Sequence, residues 1–333
     1  MSRERLLDID RATGLAIALV VLGHLASDKN YYGADWYYSL KTVLYTFHMP
    51  FFMYLSGIIT YYTYTPVDSL QGYKDYVYKK FMRFIPAYLL FSVIIFAGKA
   101  LAVHFLNIDN PIKSVFDYFE VLYIPQQSFN MSLWYIYVLF EICVFFSLFL
   151  LLFKKVEYLL IPAVIAHFIS IPKVMALSLL CEYLLYFTIG CICVKYYAIY
   201  TRYLDKVGWI FLIVWLGIIA YCYHYVYVHQ PPVSVPIPKI LTGLLSIPAL
   251  HCLVRLPRED KMRWLGYLGT FSFPIYLMNT IVIGTMKGVT FKLWNHHQFD
   301  IMVPFLVVGG LLVPILIAKY LSTRAPSLNK IIY

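Results

Sequence analysis

The chain is 333 residues long, 61% hydrophobic and only 13% charged, with a mean hydropathy of +0.71. Soluble domains carry about one-quarter charged residues, so a soluble enzyme is excluded and a polytopic membrane protein is expected. The net charge of +10 does not point to nucleic acid, because most basic residues collect at the N-terminus, in alternate loops and in the C-terminal tail. The positive-inside rule then places both termini in the cytoplasm, against anionic headgroups.

A membrane span needs about 20 mainly apolar residues. Ten candidates follow one another, at 11–26, 42–62, 84–105, 132–153, 157–171, 175–198, 207–228, 237–254, 266–286 and 301–321. The expected fold is all-α: one integral-membrane helical bundle of about ten spans over residues 1–333, with no soluble domain. The six cysteines lie in or beside these spans and read as buried free thiols, at spacings that support neither a disulfide framework nor a metal site. The first apolar run follows a basic start but lacks a small-residue cleavage site, so it reads as a retained span.

Residues 1–11 form a basic leader with Arg3, Arg5 and Arg11, and the first span runs from DIDRATG to Gly23 and His24. An ionisable ring in hydrocarbon is costly unless it is partnered or used, which makes His24 a functional candidate and His48, in the next span, a second. At about 100° per residue, Asp10 and His24 fall within about 40° of each other on one helix, and Thr13 and His24 within about 20°. Arg11 lands about 140° away from His24 and roughly 20 Å back along the axis, as a membrane-surface cation. Asp10 therefore joins His24 and His48 as a candidate catalytic group.

The loop from Ser27 to Lys41 holds Tyr31, Tyr32, Trp36, Tyr37 and Tyr38 and reads as an interfacial aromatic belt. In the second span, Pro50 is expected to open the helix just after His48 and leave carbonyls free for a polar ligand. Ser56 and Gly57 permit close helix approach. The next loop, from Tyr61 to Phe84, ends in YKKFMRFIP, with Pro86 opening the third span. Clustered Lys79, Lys80 and Arg83 at a cytoplasmic helix end suit a polyphosphate, because both residue types make charge-assisted bonds to phosphate oxygens. Membrane anchoring is the plainer reading of the same cluster.

The outward stretch from Asn107 to Met131 contains SVFDYFEVLYI, which predicts a short surface helix. SLWYIYVLFE then brings Trp134, Tyr135, Tyr137 and Glu141 into the fourth span, with Glu141 on the Trp134 face. A buried carboxyl needs a partner, so Glu141 is expected to neutralise a nearby Arg or Lys. His167, Glu182, Lys195 and His224 lie near helix ends and read as structural. RLPREDKMR is a solvated charge run. LGTFSFPIYLMN opens the ninth span, where Ser272, Pro274, Tyr276 and Asn279 indicate a lined cavity.

Together, DIDRATGLAIALVVLGH, FHMPFFMYLSG, KKFMRFIP, SLWYIYVLFE and LGTFSFPIYLMN, in that order across nearly the whole chain, resemble the integral-membrane acyltransferase family 3. The first of them is similar to the fucose 4-O-acetylase-like, polysaccharide O-acetyltransferase branch. The resemblance implies about ten spans in a bacterial cytoplasmic membrane and cytoplasmic acetyl-CoA as acyl-donor co-substrate, with no bound cofactor. The implied acceptor is a sugar hydroxyl of a cell-surface glycan or its lipid-linked precursor. His24 matches the histidine that follows an arginine and ten residues in the family's motif; the arginine slot falls on Thr13, and Arg11 lies two residues earlier. Lys80 and Arg83 match the basic pair that holds the donor's phosphates. Where many members carry a histidine at the end of the ninth-span motif, this chain has Asn279.

The implied mechanism is general-base acyl transfer, with neutral His24 taking the proton of the attacking hydroxyl. Tyr135, Asn279 or His48 would donate to the developing oxyanion. Lys80, Arg83 and Arg11 would face the donor, and Trp134, Tyr135, Glu141, Asn279, Tyr276 and Ser56 the acceptor. The rival reading is a secondary transporter or lipid-glycan flippase in which the same histidines and Glu141 relay protons. Transporters show paired repeats with broken helices, and HMPFFMYLSG has no counterpart after residue 165. A third reading is a non-catalytic partner in a glycan assembly complex.

Overall fold

The structure, a computed structural model, describes residues 5–26, 34–103, 111–230, 232–256, 261–293 and 299–332. Arg3, Tyr31, Tyr32, and Arg258, Glu259 and Asp260 of the RLPREDKMR run lie outside the described residues. Within them the chain is helical and contains no strand. In order the helices are α1 (Leu7–Gly23), α2 (Asp35–Leu44), α3 (His48–Thr63), α4 (Leu70–Ala102), α5 (Glu120–Tyr123), α6 (Trp134–Phe153) and α7 (Leu160–Phe168). They continue as α8 (Leu177–Lys195), α9 (Tyr197–His229), α10 (Lys239–Arg255), α11 (Arg263–Thr270), α12 (Ser272–Leu293), α13 (Phe299–Arg324) and α14 (Pro326–Ile332).

Each of the ten apolar runs falls on a helix, but length separates them. Among the described residues, six stretches are long and apolar enough to cross a membrane: α2 with α3, α4, α6, α8, α9 and α13. A seventh is α11 with α12, if this pair, bent by 79°, is one span. At 17 residues α1 and α10 fall short of that length, as does the apolar stretch Val156–Phe168. The chain is a multi-pass helical membrane protein.

Two departures from the sequence reading have clear causes. The basic segment before Pro86 is helix, not loop, because α4 begins at Leu70, where the Ser69 side chain caps it by accepting from Gly72 N at 3.1 Å. At 33 residues α4 is about 50 Å long, against roughly 30 Å of hydrocarbon, so its polar first turns extend past the apolar layer. Pro50 does not open a helix after His48 either. It sits in the first turn of α3, where its missing N–H costs nothing, and the break lies earlier, at Tyr45–Phe47 between α2 and α3.

The chain divides into two compact units, residues 1–55 with 196–324 and residues 56–195 with 325–333, so that the boundary falls inside α3 between Leu55 and Ser56. The first unit is built on α1. A Cβ on Gly14 would lie 1.9 Å from the Leu265 carbonyl oxygen, and one on Gly269 2.0 Å from that of Asp10, so α1 and α11 touch backbone to backbone. Only glycine allows that approach.

In the second unit, Gly57 does the same against α8, where a Cβ would stand 2.0 Å from the Phe187 oxygen. The stretch between α4 and α6 folds as a 3-10 turn at Val115–Phe119 followed by α5, with Ser114 and Asp117 forming a capping box. Tyr88 and Tyr137 donate to the Val121 and Leu122 carbonyls at 2.6 and 3.0 Å, tying this stretch to α4 and α6. Lys195 pairs with Glu157. No disulfide joins the six cysteines, of which five are buried and Cys193 is half-buried.

Candidate functional site

A helix leaves its last carbonyls without intrahelical partners. At the far end of α1 these are met by side chains of the segment around α2. Tyr37, fully buried, donates to Leu22 O at 2.9 Å and accepts from the N–H groups of Leu25 and Ala26 at 3.0 and 3.3 Å. Tyr45 donates to Gly23 O at 3.2 Å, and Lys41 Nζ to Ala26 O at 2.9 Å. His24, the residue that ends α1, stands in the middle of this clamp. Tyr37 in turn packs on Phe299 with ring centroids 4.9 Å apart, and Trp36 Nε1 donates to Asp300 Oδ1 at 2.7 Å, fixing the clamp to the start of α13. Tyr37 was expected in an interfacial belt; its hydroxyl instead replaces missing backbone partners inside the protein.

The His24 ring meets Tyr45 edge-on at 6.4 Å, and Tyr45 meets His48 at 4.9 Å. His48 is buried, and its Nδ1 lies 2.7 Å from Leu44 O, so Nδ1 carries the hydrogen and the neutral ring offers Nε2 as acceptor. His24 is half-buried and makes no side-chain hydrogen bond among the described residues. The structure therefore brings His24 and His48 together through Tyr45. Among the described residues the ring nitrogens of His24 are uncommitted, and His48 is oriented by a backbone carbonyl.

Asp10 is not part of this group. It is 14 residues, about 21 Å, back along the continuous helix α1, and it pairs there with Arg5. Arg11 is buried at the same end, with its side chain against Gly266 of α11. Thr13, in the motif's arginine slot, bonds back to Ile9 O at 2.8 Å. Asn279 of α12 is buried, and its amide donates to Ile275 O and Tyr276 O, both at 2.9 Å. Its Oδ1 is buried without a partner among the described residues. What Asn279 offers a substrate is thus an acceptor rather than the expected oxyanion donor. Tyr276 stacks on Phe52 at 6.4 Å.

The carboxylate of DIDR that enters a buried network is Asp8. His251 is fully buried on α10, with Nε2 at 3.2 Å from Asp8 Oδ2 and Nδ1 at 3.1 and 3.0 Å from the hydroxyls of Tyr54 and Tyr200. Arg255 donates to Asp8 at 2.6 Å and grips Asp205 with two bonds, and Tyr197 donates to Asp8 as well. Asp8 precedes the first apolar run. Burial acts to raise its carboxyl, and the His251, Tyr197 and Arg255 contacts outweigh it, holding Asp8 well below the usual carboxylate range. His251 sits inside an expected span, so the rule that singled out His24 and His48 also covers it.

The remaining candidates belong to the second unit. Lys80 and Arg83 are one turn apart on α4, with Lys80 Nζ over the rings of Tyr76 and Phe84 at 5.4 and 5.9 Å. Ser56 and Tyr135 share a buried hydroxyl–hydroxyl bond. Trp134 lies on Tyr183 at 5.1 Å. Glu141 has no ion pair among the described residues, and its Oε2 is buried without a partner, so the expected neutralising cation is not beside it.

A family model described as an acyltransferase domain matches residues 6–322. No curated protein and no solved structure matches the chain.

Proposed function

The chain belongs to acyltransferase family 3, a membership that covers nearly its whole length, and we propose that it is an O-acetyltransferase of the polysaccharide-modifying, fucose 4-O-acetylase-like kind. The donor in this reading is cytoplasmic acetyl-CoA, and the acceptor is a sugar hydroxyl of a bacterial cell-surface glycan or its lipid-linked precursor. The protein would work in the cytoplasmic membrane with both termini inside.

The observation that carries the reading is His24, whose ring is uncommitted among the described residues while the turn that bears it is clamped by Tyr37, Tyr45 and Lys41. A general base must be fixed in place and open on the side of the proton it takes. His24 accepts the hydroxyl proton as the sugar oxygen bonds to the thioester carbonyl carbon. The tetrahedral intermediate then collapses, the C–S bond breaks, and the proton on His24 passes to the departing thiolate to give CoA and the acetyl ester. His48 and Asn279 offer acceptors that orient the acceptor sugar's hydroxyls. Lys80 and Arg83 are the proposed phosphate anchors for CoA, because paired cations on one helical face suit a polyphosphate.

The test is release of CoA by the full-length protein in lipid nanodiscs, supplied with acetyl-CoA and a surface-glycan fraction. Glycan-dependent CoA release with ester formation supports the reading; a protein that moves solute across vesicles and releases no CoA overturns it.

A further inference from the structure

Asn279 and His48 are each only 1% exposed, and each is locked with an acceptor turned away from its own helix backbone. The Asn279 amide donates to Ile275 O and Tyr276 O, both at 2.9 Å, and the reverse orientation would set Oδ1 against two carbonyl oxygens. No described residue donates to Oδ1. His48 donates from Nδ1 to Leu44 O at 2.7 Å, which leaves Nε2 as its acceptor. Packing sets the two acceptors side by side. Phe52 of α3 stacks on Tyr276 of α12 with ring centroids 6.4 Å apart. α12 runs in the direction of α1, since Gly269 lies against Asp10 whereas Ile283 and Val21 both crowd Gly310. α3 runs the opposite way, since Tyr45 just before it bonds Gly23 whereas Tyr54 joins Asp8 through His251. Towards the His24 end, His48 is four residues, about 6 Å, from Phe52, and Asn279 is three residues, about 4.5 Å, from Tyr276. Each lies on the face of its helix that carries the stacked ring. The acceptors therefore share one level, and the Tyr45 ring links that level to His24, at 4.9 Å from His48 and 6.4 Å from His24.

A buried acceptor without a donor is costly, so the missing hydrogens come from what binds. Both acceptors are neutral. An ammonium group would bring a net charge into the apolar layer, whereas hydroxyls bring none. We propose that His48 and Asn279 form a hydroxyl-reading subsite beside His24, so that the preferred acceptor is a sugar with free hydroxyls next to the one that is acylated. One neighbouring hydroxyl donates to His48 Nε2 and another to Asn279 Oδ1, which turns the reacting hydroxyl towards His24. A neighbour that already carries an acyl, alkyl or glycosyl group keeps its oxygen but has no hydrogen to give, and it leaves a buried acceptor unpaired. A site built to bond a hydroxyl discriminates strongly against analogues that lack the bond. The reaction then comes before any that substitutes those neighbours. The inference rests on the acyl-transfer reading and adds to it the hydroxyl pattern of the acceptor.

The experiment uses labelled acetyl-CoA, the full-length protein in nanodiscs and the glycan fraction of the cells that make it. The fraction is first stripped of O-acyl groups and lightly O-methylated, so that a methyl ether, which cannot donate, stands beside a measured share of the free hydroxyls. After reaction and depolymerisation, mass spectrometry counts labelled acetyl groups beside a free hydroxyl and beside a methyl ether. Acetyl groups beside a methyl ether are expected to be about tenfold or more rarer than the share of such positions. Asn279→Leu and His48→Phe each remove one acceptor and are expected to bring that bias towards one, so either variant that folds reads the subsite. Asn279→Asp, which keeps an acceptor oxygen, is expected to retain the bias. Labelling by the unaltered protein in proportion to the two kinds of position overturns the subsite. So do variants that slow both kinds by the same factor, because the acceptors then hold a water molecule or the fold. His24-dependent labelling of any sugar tests acyl transfer by itself, so the two ideas fail separately; no labelling at all overturns both.

Discussion

Tyr37 holds His24 in place without touching its ring: one phenol hydroxyl bonds the residue two before His24 and the two residues after it. Tyr37→Phe keeps the buried ring but leaves two N–H groups and a carbonyl unsatisfied, a loss of about 1–3 kcal/mol of stability. The same change loosens the base. Turnover of acetyl-CoA is expected to fall about tenfold or more while the Michaelis constant for acetyl-CoA stays nearly constant. Equal kcat for Tyr37→Phe and the unaltered protein would remove Tyr37 from the positioning of His24.

The contact of α1 with α11 depends on the absence of side chains at Gly14 and Gly269. A methyl group at Gly269 would meet the Asp10 carbonyl oxygen at 2.0 Å, and a backbone atom cannot swing aside as a flexible side chain does. Gly269→Ala is expected to cost at least about 1–3 kcal/mol, read as a fall in the thermal midpoint of the detergent-solubilised protein. Gly284→Ala, where a Cβ meets nothing within 4 Å, is the matched control and is expected to leave the midpoint unchanged.

His251 joins Asp8, Tyr54 and Tyr200 in a buried set of hydrogen bonds, and His251→Ala removes one bond from each while Asp8 keeps Arg255 and Tyr197 and Tyr54 keeps its bond to Tyr200. Losing these bonds and the packing of a fully buried ring costs about 1–3 kcal/mol, so the thermal midpoint of this variant is expected to fall below that of Gly284→Ala. Asp8 gives the set a pH signature. Its folded value is depressed, so its stabilisation is complete at neutral pH and is lost as the pH falls below about 4, where the unfolded carboxyl takes up a proton first. Thermal midpoints of the unaltered protein and Asp8→Asn should therefore differ at pH 7 and converge as the medium is acidified.

Lys80 and Arg83 are the proposed hold on the donor's phosphates. Arg83→Ala is expected to raise the Michaelis constant for acetyl-CoA about tenfold with little change in kcat, the pattern of a lost binding interaction. The constant should also become less sensitive to salt. A fall in kcat alone would move Arg83 from donor binding to another role.

Local chemistry explains what the sequence made legible. Long apolar runs announce helices whatever the tertiary setting, so the all-helical architecture and the positions of the ten runs could be read directly. The number of crossings is a different matter, because α1 and α10 are too short to be judged by length and composition alone. His24 and His48 stood out as ionisable rings in apolar surroundings, and their link through Tyr45 lies close by in the chain. A helical wheel ranks residues by angle and so selects Asp10, whereas the separation of Asp10 from His24 is axial and the carboxylate in a buried network, Asp8, finds its partners on α9 and α10. Tyr37 was hidden for a related reason. Nothing in an aromatic loop reveals that one hydroxyl will cap the end of a helix fourteen residues upstream.

The central claim is that His24 takes the acceptor's proton. It is tested most directly by glycan-dependent CoA release from acetyl-CoA in His24→Ala, with the thermal midpoint confirming that the variant is folded. General-base removal costs about 10²–10⁴-fold, so release should fall by at least a hundredfold in a folded variant. Release at the rate of the unaltered protein would contradict the account.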